Sequence, residues 1–346
     1  MAERVNTLII GAGVVGAAVA YALRGQAEDT FILEAAARAG TGTTSRNSGV
    51  IHAGLYYPPQ SLKTRLCRRG AELLYAFAAE HGIPHRRTGK YIVANNPEEE
   101  AFLTWLKANV QDVPLHETEA IPSGIRAAKA LFSPNTGIVD IHLFVDGLLE
   151  ASGVEALYHQ KVDRIRLMDE KVLVAIGDEH YLADRVINCA GLAATDFSAG
   201  FRHYFARGAY FQVQLPKDVE VPHLVYPAVP KGSPSLGIHL TRNIHGEAYL
   251  GPDIEWIETE SYRVEESRLA SFFEAAKTYL PWLEINHLQP GYAGIRPKLS
   301  PHAFSDFTIL FEGNRGQLIH CLGIESPGIT AAMAIGEYIQ QRIQAA

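Results

Sequence analysis

Val5-Asn6-Thr7-Leu8-Ile9-Ile10-Gly11-Ala12-Gly13-Val14-Val15-Gly16 opens the chain and decides its fold. A short β-rich run meets three glycines spaced Gly-x-Gly-x-x-Gly. An Ala/Val-rich stretch to about Arg24 then reads as a helix, and Thr30 to Leu33 as a second strand. Gly11 permits the tight turn, Gly13 lets the backbone approach a pyrophosphate, and Gly16 lets helix and strand pack closely. The N–H groups at the helix start then face the phosphates. Glu34, at the end of the second strand and 23 residues after Gly11, is placed to accept hydrogen bonds from ribose hydroxyls. This βαβ unit predicts a bound dinucleotide, and NAD and FAD both satisfy it.

Later segments favour FAD. Arg185-Val186-Ile187-Asn188-Cys189-Ala190-Gly191 is an apolar strand ending in small residues, as needed where the chain returns past a bound dinucleotide. Gly323-Ile324-Glu325-Ser326-Pro327-Gly328-Ile329-Thr330 turns from a strand into the final helix, bringing another positive helix end to a flavin ring. The stretch from Gly40 to Gly54 contains Thr43, Thr44, Ser45, Arg46, Asn47 and Ser48, small or cationic donors for pyrophosphate and flavin oxygens.

The remaining pattern predicts helices over Ser61–His81, Pro97–Asn109, Ile141–Ala151, Glu265–Tyr279 and Ile329–Gln344. Strands are predicted at Lys90–Ala94, Val162–Leu167, Val172–Ile176, Arg185–Cys189, Tyr210–Leu215, Leu236–Thr241 and Gln317–Leu322. Nucleotide-type elements lie at both ends of a β-rich middle. The expected class is therefore α/β (α+β), with a Rossmann-like FAD-binding domain interrupted by an antiparallel substrate domain. We assign 1–85, 140–205 and 300–346 to the first, and 86–139 and 206–299 to the second.

With 346 residues, 47% of them apolar, the chain can bury a large core. A net charge of -7 and a pI near 6.1 argue against a nucleic-acid partner. The local basic groups, Arg65, Arg68 and Arg69 and then Arg86, Arg87 and Lys90, read as solvated faces. Cys67, Cys189 and Cys321 are too scattered for a metal cluster and odd in number, so neither a metal site nor a disulfide framework is expected. The expected location is a reducing compartment, the cytoplasm, with any membrane contact peripheral at the inner face. The apolar start from Leu8 to Leu23 carries nucleotide-spaced glycines rather than a cleavage site, and no segment reaches the length of a membrane span.

The stretch from Thr44 to Pro59, followed by Ser61-Leu62-Lys63 and Arg65-Leu66-Cys67, resembles the D-amino-acid-oxidase-like FAD oxidoreductases, specifically their L-2-hydroxyglutarate dehydrogenase/oxidase branch. The resemblance recurs at Leu224-Val225-Tyr226-Pro227, Gly237-Ile238-His239-Leu240-Thr241-Arg242, Leu250-Gly251-Pro252 and Gly294-Ile295-Arg296-Pro297-Lys298. The chain departs from the branch by being shorter around Ser152–Leu157 and Gly208–Leu224, and by Gly208-Ala209-Tyr210-Phe211 where a more basic stretch is usual. Those departures bear on the substrate rather than on the fold or the flavin. Arg38 and Val162 complete the candidate FAD set.

The resemblance implies oxidation of an L-2-hydroxy acid such as L-2-hydroxyglutarate to the 2-oxo acid, by hydride transfer to flavin N5. That chemistry needs a base for the hydroxyl proton and a cation for the carboxylate. His52, directly after the flavin-contacting loop, is the first base candidate, and His239 the second; either histidine could instead be structural. With an ordinary imidazole, His52 predicts a rate rising with pH through about 6 to 7.5. Arg296 offers a planar fork for a carboxylate, against the plainer alternative of a surface salt bridge. Tyr56, Tyr57 and Tyr226 are candidate pocket walls. Cys321, inside an apolar strand, reads as a buried small hydrophobe, so FAD is expected to be non-covalent. Three alternatives share parts of this pattern: D-amino-acid or glycine oxidation, glycerol 3-phosphate oxidation, and a flavin-carrying electron-transfer subunit. The electron acceptor, whether oxygen, a quinone or a carrier, leaves no motif.

Overall fold

The computed structural model describes residues 3–229, 237–302 and 304–345. In chain order the strands and helices are β1 (Glu3–Ile10), α1 (Val14–Ala22), β2 (Thr30–Leu33), β3 (Val50–Ile51), α2 (Leu62–Glu80), β4 (His85–Arg86), β5 (Lys90–Ala94), α3 (Pro97–Asn109), β6 (His116–Glu117), β7 (Lys129–Ser133), β8 (Gly137–Val139) and α4 (Ile141–Ser152). There follow β9 (Glu155–Leu157), β10 (Arg164–Leu167), β11 (Val172–Ile176), β12 (Glu179–Asn188), β13 (Tyr204–Val213), β14 (Leu224–Pro227), β15 (Leu240–Arg242), β16 (Ala248–Leu250), β17 (Glu255–Ile257), α5 (Leu269–Lys277), β18 (Leu288–Lys298), β19 (Thr308–Glu312), β20 (Leu318–Leu322) and α6 (Gly328–Gln344).

The fold is mixed α/β. Its first sheet runs β10-β11-β12-β1-β2-β9, with β20 parallel to the end of β12 and β19 antiparallel to β20. The parallel centre holds Ile9 opposite both Ile187 and Ile32, three fully buried side chains. Parallel strands covered by helices bury both faces, which is why β1, β12 and β20 end in nearly unbroken apolar runs. Helices α1, α2 and α6 pack at glycines. A Cβ on Gly16 would lie 1.9 Å from Gly11 O, one on Gly336 2.5 Å from Ala18 O, and one on Gly70 2.1 Å from Thr330 O. Ser61 caps α2 by accepting from Thr64 N, and Asn96 caps α3 by accepting from Glu99 N.

The second sheet runs β17-β13-β16-β15-β14-β5-β7-β6, with β18 also on β13. It is antiparallel except at β14–β5. One face packs on α5 through Tyr91, Val93, Phe211, Val225 and Phe272. A small sheet, β3-β8-β4, lies apart from both. The first sheet draws on residues 3–33, 155–188 and 308–322, and the second on 90–94, 116–133 and 204–298.

Several elements differ from the expectation. Strands β7, β8, β18 and β19 were not foreseen. β18 carries Pro290, Gly291, Gly294 and Pro297, which read as breakers, yet it pairs with β13 across a bulge at Ala209/Phe211. Glycine is required there because a Cβ on Gly294 would sit 2.0 Å from Arg46 O. The helix expected over Glu265–Tyr279 is a 3₁₀ turn, Glu266–Arg268, followed by α5. Leu236, expected to begin a strand, lies outside the described residues; the strand there is β15. Among the described residues, no helix is long and apolar enough to cross a membrane, and no group of His, Cys, Asp and Glu is arranged to hold a metal.

Candidate active site

A cavity of about 1340 Å³ runs from the glycine turn after β1 to the second sheet. It exceeds the roughly 300–1,000 Å³ of a drug-sized pocket, so it has room for a dinucleotide and a small substrate together. At one end is the β1–α1 turn. Gly11 has φ +97°, and a Cβ there would lie 2.6 Å from Cys189 O, so β1 and the end of β12 approach too closely for any side chain. Thr44 Oγ1 accepts from Val14 N at 3.1 Å, tying the 40–48 loop to the helix start. Glu34, one residue beyond β2, accepts from Ala12 N at 2.7 Å and from Ala36 N at 2.8 Å. Its carboxylate therefore braces the glycine turn, and Glu34 lines the cavity.

Of the candidate FAD residues, Gly11, Gly13, Glu34, Thr43, Thr44, Arg46, Asn47, Ser48 and Val162 line this cavity. So do Ala190, Gly191, Ser326, Pro327, Gly328, Ile329 and Thr330. Four do not line it. Gly16 lies in the first turn of α1, where its lack of a side chain allows the helix to pack closely on the Gly11 turn. Arg38 is exposed, and its carbonyl accepts from the Thr41 hydroxyl at 3.2 Å. Ser45 Oγ turns back to Thr41 O and Gly42 O, each at 3.0 Å. Gly323 donates its N–H to His203 Nε2 at 3.1 Å.

The cavity continues into a chamber walled by aromatic and basic side chains. His52 donates its backbone N–H to Thr330 Oγ1 at 3.0 Å, and its Nε2 lies 3.5 Å from Ser326 Oγ, which also meets Tyr57 OH at 3.4 Å. This places His52 beside the start of α6. Burial, helped by the charge of Lys90, pushes the His52 imidazole down to about 3. The pH step expected from it at about 6 to 7.5 is thus moved out of the neutral range. His239 stacks on Tyr226 with centroids 3.5 Å apart and planes 10° from parallel. Tyr226 is 1% exposed, and burial holds its phenol far above the ordinary range. Arg296 donates from Nη2 to Asp253 O and from Nε to Ala206 O at 3.4 Å, so the main chain sets its orientation. Asp253 in turn pairs with Arg268 and accepts from Ala209 N at 2.8 Å. His52, His239, Arg296, Tyr56, Tyr57 and Tyr226 all line the one cavity.

Two features escaped the sequence. Lys63 and Lys298 both donate to Glu325 Oε1, at 2.8 and 2.7 Å, forming a largely buried cluster of net charge +1 on the cavity wall. Burial alone raises the Glu325 carboxyl, but the two ammonium groups hold it below its usual range. Its three members come from separate stretches, and only the fold joins them. The second is Lys90, read as part of a solvated basic group; it is fully buried. It heads β5, whose five residues are all buried because one face packs against the cluster that includes Phe272 of α5 and the other against the cluster that includes Phe102, Leu103 and Leu106 of α3.

The residues fit FAD on the structure's own terms: side chains are excluded at Gly11, main-chain N–H groups open α1, and α6 begins at the same cavity. Fold and site thus define a flavin-dependent oxidoreductase. The chain belongs to the family described as FAD dependent oxidoreductase (DAO), which matches residues 6–342. It is 36% identical to the mitochondrial L-2-hydroxyglutarate dehydrogenase of Arabidopsis thaliana, over 98% of this chain and 83% of that protein. It is 29% identical to L-2-hydroxyglutarate dehydrogenase of Escherichia coli, over 97% of this chain and 92% of that protein. Among solved structures it superposes on a dithionite-reduced L-α-glycerophosphate oxidase from Mycoplasma pneumoniae with FAD bound, with a TM-score of 0.88, 22% identity, and 99% and 95% of the two chains covered. It also superposes on glycine oxidase from Geobacillus kaustophilus, with a TM-score of 0.83, 19% identity and the same coverage. At such identities these structures speak to the fold alone.

Proposed function

We propose that this chain oxidises an L-2-hydroxy acid, with L-2-hydroxyglutarate the first candidate, to the corresponding 2-oxo acid. The observation that carries the reading is that a main-chain-anchored guanidinium, Arg296, and a neutral imidazole, His52, line the same cavity as the dinucleotide cradle. In this reading Arg296 binds the substrate carboxylate through its fork and His52 accepts the hydroxyl proton. His239 and Tyr226 wall the chamber, with His239 as the alternative base. FAD, when bound, supplies the acceptor for the hydride that leaves C2. Residues 1–85, 140–205 and 300–346 would hold the cofactor, and 86–139 and 206–299 the substrate. The substrate class is supported by the names of the Arabidopsis and Escherichia coli relatives. A reducing, cytoplasm-like compartment agrees with three free, buried cysteines.

Anaerobic mixing of the yellow protein with a panel of L- and D-2-hydroxy acids, amino acids and glycerol 3-phosphate tests the reading. Bleaching of the flavin by L-2-hydroxyglutarate is expected, ahead of any amino acid. Bleaching by glycine or a D-amino acid alone overturns it.

A further inference from the structure

Five charged side chains meet where β17 and β18 pair with β13, and of the five Arg296 alone lines the cavity. The other four are matched to one another. Glu255 Oε2 accepts from Arg207 Nη2 at 2.7 Å and from Arg268 Nη1 at 2.9 Å, while Arg268 Nη2 pairs with Asp253 Oδ2. Two arginines thus take up two carboxylates, and the guanidinium of Arg296 is the surplus charge of the group.

Asp253 is the member able to upset that balance. Its carbonyl accepts from Arg296 Nη2, and its Oδ1 accepts from Ala209 N at 2.8 Å. One residue earlier, a Cβ on Gly208 would lie 2.7 Å from Arg296 Nη2 and 3.1 Å from Asp253 O. Glycine at 208 therefore leaves the room that the guanidinium occupies, and the Asp253 carboxylate is held on the next residue of the same strand. Only 12% of the Asp253 side chain is exposed, and among the described residues Oδ2 makes no hydrogen bond, so its ion pair with Arg268 is what satisfies it. A carboxylate so enclosed requires a cation. Arg296 spends Nε and one N–H of Nη2 on main-chain carbonyls, and its other N–H groups are left for an anion in the cavity.

We propose that Arg268 is a positioning residue for substrate binding: by holding the Asp253 carboxylate it keeps that group off Arg296, whose guanidinium stays free for the substrate carboxylate. Arg207 assists by sharing Glu255, which leaves Arg268 a nitrogen for Asp253. Without the Arg268 charge, Asp253 turns to Arg296, the guanidinium that its own carbonyl already touches, and competes with substrate there. The inference rests on the carboxylate-binding reading of Arg296 and adds the device that keeps that site open to an anion.

The test is the affinity of the FAD-loaded protein for glutarate, which has no hydroxyl to oxidise, read from perturbation of the flavin spectrum. Arg268→Gln should weaken glutarate at least about tenfold, the scale of one charge-assisted contact. Adding Asp253→Asn to that variant removes the competitor and should restore the affinity to within about threefold of wild type. A merely structural role gives no such rescue, because deleting a second member of the network would leave binding as weak or weaker, and that result overturns the proposal. Should Arg268→Gln fail to load FAD, Asp253→Asn alone decides: it should bind glutarate more tightly than wild type, and equal or weaker binding overturns the proposal. Arg296→Ala separates the two readings. If it binds glutarate as wild type does, the carboxylate role of Arg296 falls and this inference with it. If it binds weakly while Arg268→Gln and the double variant are weakened alike, the role of Arg296 stands and that of Arg268 fails.

Discussion

The flavin end and the chamber end of the cavity are made of different materials. At the flavin end the working groups are main-chain N–H donors, small hydroxyls and glycines whose missing Cβ atoms keep strands and helices close, as at Gly11 and Gly16. At the chamber end they are side chains whose chemistry is set by burial: His52 down to about 3, Lys90 down to about 7, and phenols raised. The first end is vulnerable to added atoms and the second to lost functional groups.

The largest expected effect is at the chamber. His52→Ala should keep its fold and its FAD but reduce the flavin at least about a hundredfold more slowly, within the usual 10² to 10⁴ for a lost base. The pH dependence sharpens the point. The neutral, proton-accepting form of His52 exists above about 3 and is lost only as pH falls through that value, so His52 gives no step at neutral pH. Rapid mixing across pH, with His239→Ala alongside, checks both: a wild-type step near 6.5 that vanishes only in the His52 variant would mean that the imidazole is better solvated than the chamber allows. Arg296→Lys should damage turnover nearly as much as Arg296→Ala, because an ammonium keeps the charge but loses the two-pronged geometry. Normal steady-state kinetics in the Lys variant would move the carboxylate elsewhere.

At the flavin end the expected sensitivity is the reverse. Gly16→Ala puts a methyl 1.9 Å from Gly11 O and should destabilise the protein by about 3 kcal/mol, whereas Gly25→Ala, with nothing within 4 Å, should be close to neutral. Urea unfolding of the two proteins measures the difference, and equal midpoints would remove close packing as the reason for Gly16. Glu34→Ala should weaken FAD binding by about 1.5 to 3 kcal/mol, the scale of a charge-assisted hydrogen bond. Titration of FAD into apoprotein reads this, and an unchanged affinity would leave Glu34 as a brace for Ala12 and Ala36 only.

The legible parts of the molecule are those written in local periodicity. Thr30–Leu33, Lys90–Ala94, Pro97–Asn109 and Val172–Ile176 fall where the pattern placed them, because alternation, caps and breakers act within a few residues. β18 was missed because its prolines and glycines, breakers by local rules, are explained by partners far off in the chain: Tyr210 O for Gly291 and Arg46 O for Gly294. Lys63 sits in the Ser61-Leu62-Lys63 motif and Lys90 in a basic run, and neither position tells that the first meets Glu325 or that the second is sealed behind two tyrosines.

By itself the sequence determined the βαβ cradle and favoured a flavin, since these depend on glycines, small residues and apolar alternation at fixed short spacings, while the family was legible only through the resemblance carried by Thr44–Pro59 and the later segments. The tertiary structure alone decided the protonation of His52, the burial of Lys90 and the joining of Lys63, Glu325 and Lys298. Desolvation and charge pairing depend on what lies within a few ångströms in space, and here those neighbours come from opposite ends of the chain.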